Sequence, residues 1–189
     1  PPAAPWPRSA TRPGVVVARH ATRLADAVGV TNRKSQNLWA ELVLRHAGLA
    51  TAGDGSTAGG VRAVGRALGA DATGITQADG SGLARENVAT VGGIGRVLMR
   101  LFDSPHRLEF MGSLARGGED DGTLRKRFRG ERFEGRVLGK TGTLRDTSAL
   151  AGYVLAGEES VLAFVILCEG AVWRARDLQD AVVTALVDG

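Results

Sequence analysis

The stretch RVLGKTGTLRDTSALAGYV, Arg136–Val154, decides the fold of this chain and holds one of its only three lysines, Lys140. It contains two β-type runs, GRVLGKTGTL and SALAGYVLA, separated by the turn residues RDT. A third run, SVLAFVILC, follows after GEE. Short β-type runs joined by tight turns predict a three-stranded antiparallel meander.

Helical periodicity flanks the predicted meander on both sides. Upstream, SQNLWAELVLRHAG places Leu38, Leu42 and Val43 at helical spacing, and STAGGVRAVGRALGA repeats the pattern. A shorter helix is predicted to end near Gly29, and Thr90 is the predicted N-cap of VGGIGRVLMRLF. Downstream, AVWRARDLQDAVVTALV predicts an amphipathic helix. Its predicted apolar stripe consists of Trp173, Leu178, Val182 and Leu186.

This order of elements predicts an α+β fold, in which a small antiparallel sheet is covered by helices. Residues 1–14 are rich in proline and predict an extended segment, which leaves 15–189 as one domain. The net charge of +4 comes from dispersed arginines, so no nucleic-acid partner is expected. The single cysteine, Cys168, sits in an apolar run and has no metal-binding spacing, so neither a metal nor a cofactor is expected.

Lys140 is the first candidate functional residue. It stands in a β-type run and is followed by Thr141, Gly142 and Thr143. The ammonium and the two hydroxyls could bind an anion, and Gly142 would let a ligand lie close to the strand. Backbone N–H groups of an edge strand bind extended peptides. These features are those of a site for a peptide with a C-terminal carboxylate, but three residues alone leave open the alternative of a solvated turn.

A second motif, Ser35-Gln36-Asn37, precedes Lys140 in the chain. One interpretation is helix capping, because serine and asparagine are both good N-caps. The other is the S-x-N motif of penicillin-recognising serine enzymes, whose signature is S-x-x-K, S-D-N and K-T-G. The S-x-N and K-T-G elements here follow that order. No nucleophile elbow of the G-x-S-x-G type is present, and the three histidines lie in unrelated contexts.

Four blocks in the right order resemble the C-terminal half of DacB-like D-alanyl-D-alanine carboxypeptidases/endopeptidases, the class C low-molecular-mass penicillin-binding proteins. They are TNRKSQNLWAELVLRHAG, DGSGLARENVAT, DGTLRKRF and GRVLGKTGTLRDTSALAGYV. The resemblance implies the C-terminal part of a β-lactamase/transpeptidase-like fold. It also implies peptidoglycan stem peptides ending in D-Ala-D-Ala as substrates, β-lactams as ligands of the complete enzyme, and an extracytoplasmic location.

The resemblance also assigns roles to single residues. Ser35 would relay protons toward the leaving group, and Asn37 would position the substrate amide. Lys140 would supply positive potential near the nucleophile, and Thr141 would hydrogen-bond the substrate carboxylate. The backbone N–H of Thr143 would be an oxyanion-hole donor, alongside Gly142 on the same substrate-binding strand.

One catalytic element of that family is absent from the sequence. None of the eight serines is followed by lysine three positions later, so S-x-x-K, with its nucleophile and base, does not occur. Acyl-enzyme chemistry needs that serine. We therefore expect this chain alone to be inactive, and to be the C-terminal portion of a longer or split enzyme whose N-terminal strands are missing. The sheet would then have an open edge, which invites pairing or aggregation.

Two further hypotheses remain open at this stage. The chain could be a non-catalytic module that binds D-Ala-D-Ala peptides or a protein partner, which the missing S-x-x-K favours. A class A β-lactamase shares similar motifs, but it would need a deacylating glutamate that the sequence does not place.

Overall fold

The computed structural model describes residues 18, 21–157, 160–170 and 172–189. The predicted extended segment 1–14 lies outside the described residues. The described chain combines helices with antiparallel strands, which confirms the predicted α+β class. Its α-helices are α1 (Leu24–Lys34), α2 (Asn37–Ala52), α3 (Thr57–Leu68), α4 (Val91–Phe102), α5 (Arg107–Ser113) and α6 (Val172–Asp188).

The main sheet contains the predicted meander. Its strands β4 (Val137–Thr143), β5 (Thr147–Leu155) and β6 (Val161–Glu169) pair antiparallel in sequence order. A fourth strand, β3 (Ala115–Arg116), adds to the far side of β4. The sequence did not predict β3, because two residues are too short to show an alternating pattern. A separate small ribbon joins β1 (Ile75–Thr76) to β2 (Val88–Ala89).

Strand β4 has two unequal halves. Val137, Leu138 and Gly139 are buried, and β3 covers them where Ala115 faces Gly139 and Arg116 faces Leu138. Residues 140–143 extend beyond β3 and pair only with β5 within the described chain. The second half of β4 therefore has one open edge.

Helices cover the sheet on both faces. On one face, Leu98 of α4, Leu114, Leu138 and Tyr153 form a buried cluster against α4 and α5. The Tyr153 hydroxyl donates to the Leu98 carbonyl at 2.7 Å, and burial raises the pKa of Tyr153 to about 12. On the other face lies a larger cluster against α6. Its members are Ala115, Leu124, Phe128, Phe133, Val137, Leu150, Val154, Phe164, Val183 and Val187.

The predicted apolar stripe of α6 is correct only at Leu186, which is partly buried and packs against the larger cluster. Trp173, Leu178 and Val182 are exposed, and Trp173 reaches 72% exposure. The buried positions are Ala175, Gln179, Val183 and Val187. These four follow one another at intervals of four residues, and their small or medium side chains allow α6 to approach β5 closely. Trp173 and Leu178 are left on the outer face of α6.

Two helix predictions also need correction. Helix α1 does not end near Gly29 but continues to Lys34, with Gly29 buried in its interior. In α2, Leu38 and Leu42 are exposed, whereas Leu44 and Gly48 are buried. Tertiary packing against α3 selects that face of α2 over the one that carries more leucines. The Thr90 prediction is confirmed, because its hydroxyl accepts from the N–H of Gly93 at 3.0 Å and caps α4.

None of the helices in the described ranges combines the length and apolar character that crossing a bilayer requires.

Candidate active site

The S-x-N motif occupies the tight turn between α1 and α2. Ser35 ends α1 in the left-handed conformation, with φ 53° and ψ 52°, and the N–H of Gln36 donates back to the Thr31 carbonyl at 3.2 Å. Gln36 is the N-cap of α2, and no side chain caps that helix. The capping interpretation of Ser35 and Asn37 is therefore wrong. A non-glycine residue is rarely held with positive φ, so the turn holds Ser35 in a specific and costly orientation.

The K-T-G motif occupies the open half of β4. Antiparallel pairs alternate between hydrogen-bonded and non-bonded positions. The N–H of Leu144 donates to Thr147 and the N–H of Leu155 donates to Arg136, which makes the even-numbered residues of β4 the bonded positions toward β5. The N–H and C=O groups of Thr141 and Thr143 consequently point away from β5. They face the open edge.

The two motifs meet in a direct contact. The Lys140 Nζ donates to the Ser35 Oγ at 2.8 Å and to the Thr141 carbonyl at 2.7 Å, and the first of these bonds joins residues 105 positions apart. Asn37 lines the same cleft and makes no side-chain hydrogen bond to the described residues, which leaves its amide free to face a ligand. The fold thus brings together Ser35, Asn37 and Lys140.

Lys140 has an altered proton affinity. Burial lowers the pKa of its ammonium from 10.5 to about 8, because removal from water disfavours the charged form. No carboxylate among the described residues forms an ion pair with it. A lysine with this pKa can both donate and accept a proton near neutral pH.

The two threonines flank the edge from the opposite side. Side chains alternate along a strand, so those of Thr141 and Thr143 leave β4 on the face opposite to Lys140. That face is the one covered by α6, because Thr143 lies opposite Ser148 and Ser148 accepts a hydrogen bond from Gln179 of α6 at 3.1 Å. The ammonium and the hydroxyls therefore bracket the open edge instead of converging from one side.

A rigid turn at residues 79–87 forms another wall of the cleft. The Asp79 carboxylate accepts from the N–H groups of Gly82 and Ala84 and from the side chains of Ser81 and Asn87. Burial acts to raise the pKa of Asp79, but these hydrogen bonds outweigh it and leave the pKa below its usual value. Glu41 of α2 accepts from the N–H groups of residues 80 and 81 and ties the turn to the helix. Ser81, Gly82 and Leu83 are presented to the cleft.

The floor of the cleft is a connected set of buried polar side chains that the sequence did not predict. Gln179 is fully buried, donates to Ser148 and accepts from Arg127 at 3.1 Å. Arg127 in turn pairs with Asp180 at 2.6 Å. Every member has a partner, as a buried polar group requires. Gln179 falls on the face of α6 that sequence patterning assigns to solvent. No local pattern therefore predicts that its side chain is buried.

All the predicted site residues line one cleft of about 690 Å³. It contains Ser35, Asn37 and every residue from Lys140 to Thr143. His46 and His106 are exposed, Cys168 is a partly buried free thiol, and none of the three lines the cleft. Among the described residues, no group of three or more histidine, cysteine or acidic side chains is arranged to hold a metal ion.

Comparison with known proteins points to one group of enzymes. A model of the D-Ala-D-Ala carboxypeptidase 3 (S13) family matches residues 7–187. A D-alanyl-D-alanine carboxypeptidase from Actinomadura sp. (strain R39) is 38% identical over 162 residues, which is 82% of this chain and 30% of that protein.

Solved structures show the same fold. Penicillin-binding protein 4 (dacB) from Haemophilus influenzae, complexed with a β-lactam, superposes with a TM-score of 0.70 at 24% identity, over 83% of this chain and 41% of that one. Bd3459, a predatory peptidoglycan endopeptidase from Bdellovibrio bacteriovorus, gives a TM-score of 0.69 at 21% identity, over 87% and 43%. This chain therefore spans less than half the length of each of these proteins.

Proposed function

Because the chain belongs to the D-Ala-D-Ala carboxypeptidase 3 (S13) family, we propose that it supplies one side of the catalytic cleft of a serine-type D-Ala-D-Ala carboxypeptidase or endopeptidase. The substrates would be peptidoglycan stem peptides, and the location would be extracytoplasmic. The observation that carries the proposal is the 2.8 Å contact between Lys140 and Ser35, which joins the K-T-G and S-x-N motifs. Family membership favours this function over that of a class A β-lactamase.

In this proposal, each cleft residue has a separate task. Ser35 relays a proton to the leaving group, and Lys140, with its lowered pKa, exchanges that proton with Ser35. Asn37 positions the substrate amide. Thr141 binds the substrate carboxylate. The outward-facing N–H of Thr143 stabilises the oxyanion, and such a donor contributes about 3 kcal/mol to the transition state.

The open half of β4 would bind the peptide as an added strand. The outward-facing N–H of Thr141 and the N–H and C=O of Thr143 give such a ligand main-chain partners, whereas the Thr141 carbonyl already accepts from Lys140. Gly142 supports this assignment, since a Cβ built there would meet only the Ala149 Cβ, at an ordinary 3.5 Å. The fold therefore does not require glycine at position 142, whereas a ligand lying close to the strand would.

The chain alone is expected to lack peptidase activity, because no S-x-x-K nucleophile occurs among its residues. The test is D-alanine release from a D-Ala-D-Ala peptide, combined with fluorescent-penicillin labelling of the purified chain. The complete carboxypeptidase of Actinomadura sp. serves as the positive control. We expect neither product nor label from this chain, and covalent penicillin on it would contradict the proposal.

We further propose that a separate polypeptide segment carrying S-x-x-K completes the enzyme. Support comes from strand β6, an apolar edge nine residues long, and from the exposed Trp173, Leu178 and Val182 on nearby α6. Long apolar edges are normally paired or covered. Co-expression with the N-terminal part of a family member should raise solubility and restore penicillin labelling on the added part. Failure of the added part to associate with this chain, or labelling that stays absent after the two associate, would contradict this.

A non-catalytic peptide-binding module is the second candidate. The observation in its favour is that the Ser35–Lys140 contact and the open edge form without a nucleophile. The co-expression experiment separates the two functions. Peptide binding that persists without turnover after the S-x-x-K segment is supplied would favour the module.

A further inference from the structure

The charged side chains that line the cleft are positive. Among the described residues that line it, five have basic side chains and none is an aspartate or glutamate. Positive walls around a concave surface raise the local concentration of anions and favour anionic ligands. The basic residues are Arg125, Lys126, Arg127, Lys140 and Arg176.

These cations are not equivalent. Arg127 is already committed to Asp180 and Gln179 and holds the cleft floor. Lys140 projects to the Ser35 side of the β4 edge. Arg125 and Arg176 are exposed, and neither forms an ion pair with any residue in the described ranges.

The two unpaired arginines approach the cleft from the α6 side. Arg176 lies on α6 one turn before Gln179, whose amide contacts Ser148 opposite Thr143. Arg125 directly follows Leu124, which is buried in the core cluster beneath α6. The α6 side of the edge thus has its own cationic position, separated from Lys140 by strand β4.

A buried hydroxyl, that of Thr123, lies in the same loop as Arg125. The Thr123 hydroxyl is buried and has no hydrogen-bond partner in the described part of the chain, although Thr123 lines the cleft. Buried hydroxyls without partners are rare and indicate a site that a ligand or water completes.

Resting on the proposed peptide-binding function, we infer that the cleft selects peptides with two carboxylates, the C-terminal one at the β4 edge between Lys140 and Thr141 and the other bound by Arg125 and Arg176. An extended ligand on the β4 edge directs successive side chains to opposite faces. Its C-terminal carboxylate and an acidic side chain two residues earlier can therefore reach the two positions together.

The test compares two peptides that differ only in charge, acetyl-Glu-D-Ala-D-Ala and acetyl-Gln-D-Ala-D-Ala, by titration calorimetry at low salt. We expect the Glu peptide to bind about tenfold more tightly, a preference that shrinks as ionic strength rises. Arg125→Gln and Arg176→Gln should remove most of that preference and leave binding of the Gln peptide unchanged. Arg129→Gln is the matched control, because Arg129 is exposed, close in sequence and outside the cleft lining.

Each result decides a different question. Equal affinity for the two peptides would overturn the two-carboxylate inference alone and leave peptide binding intact. An equal loss of preference in Arg129→Gln would also overturn it, because net charge would then be the cause. Binding of neither peptide would overturn the proposed function and this inference with it.

Discussion

The two halves of β4 differ in burial and in the number of neighbouring strands, although they belong to one continuous strand. Val137–Gly139 is buried and has a neighbouring strand on each side, so its residues are selected by packing. Residues 140–143 have one open edge and increasing exposure, so their residues are free to serve a ligand. The difference shows that two residues of β3 are enough to divide a strand into a packed segment and a segment with one open edge.

The largest expected effect comes from a substitution at Gly152 of β5, which lies beside the buried half of β4. A Cβ at Gly152, which pairs with Gly139, would lie 2.0 Å from the Leu138 carbonyl oxygen, a backbone atom that cannot move independently. Gly152→Ala should therefore lower the free energy of unfolding by about 3 kcal/mol or more. Urea denaturation followed by circular dichroism measures the change.

Gly142→Ala is the matched control in the open half. Its new methyl group would meet only Ala149 at 3.5 Å, so stability should stay within about 0.5 kcal/mol of the wild type. Affinity for a D-Ala-D-Ala peptide should nevertheless fall, because the methyl group occupies space beside the edge. Equal destabilisation by the two substitutions would remove the distinction between the halves.

The next effect concerns Lys140, at the boundary between the halves. Burial lowers its pKa from 10.5 to about 8, so the unfolded chain binds more protons than the folded one between those values. The free energy of unfolding of the wild-type chain, relative to that of Lys140→Met, should therefore rise by about 2 to 3 kcal/mol between pH 8 and pH 10.5. Below pH 8, the difference in stability between the two proteins should not change with pH.

Denaturation midpoints of the two proteins across that pH range provide the measurement. The difference between them isolates Lys140 from the other groups that titrate at high pH. A difference independent of pH would show that the ammonium is well solvated and that burial does not set its pKa.

The smallest expected effect is the loss of a single hydrogen bond beside the buried half of β4. Tyr153 pairs with Leu138, and its hydroxyl donates to the Leu98 carbonyl in α4. Tyr153→Phe keeps the ring and removes that bond, which should cost about 1 kcal/mol. Thermal unfolding measures the loss, and peptide affinity should be unaffected. Reduced affinity without reduced stability would instead indicate that α4 positions the binding half.

Local patterns predicted the elements better than their faces. Three β-type runs and their turns were enough to predict β4, β5 and β6, and Thr90 was enough to predict the start of α4. The inward face of α6 was predicted wrongly, because apolar size favoured Trp173 and Leu178 while close packing on β5 required Ala175 and Val183. Strand β3 was missed, because its two residues gain their structure only from β4.

For the cleft as well, the sequence shows which chemical groups are present but not how they are arranged. Sequence by itself determined which groups are available, namely the serine, asparagine, lysine and threonines of two short motifs, and the lack of an S-x-x-K serine. Tertiary structure alone decided that Lys140 reaches Ser35, that Gln179 is buried and that Thr141 and Thr143 face an open edge. The physical reason is that burial, strand register and proton affinity depend on neighbours distant in sequence, which no local pattern encodes.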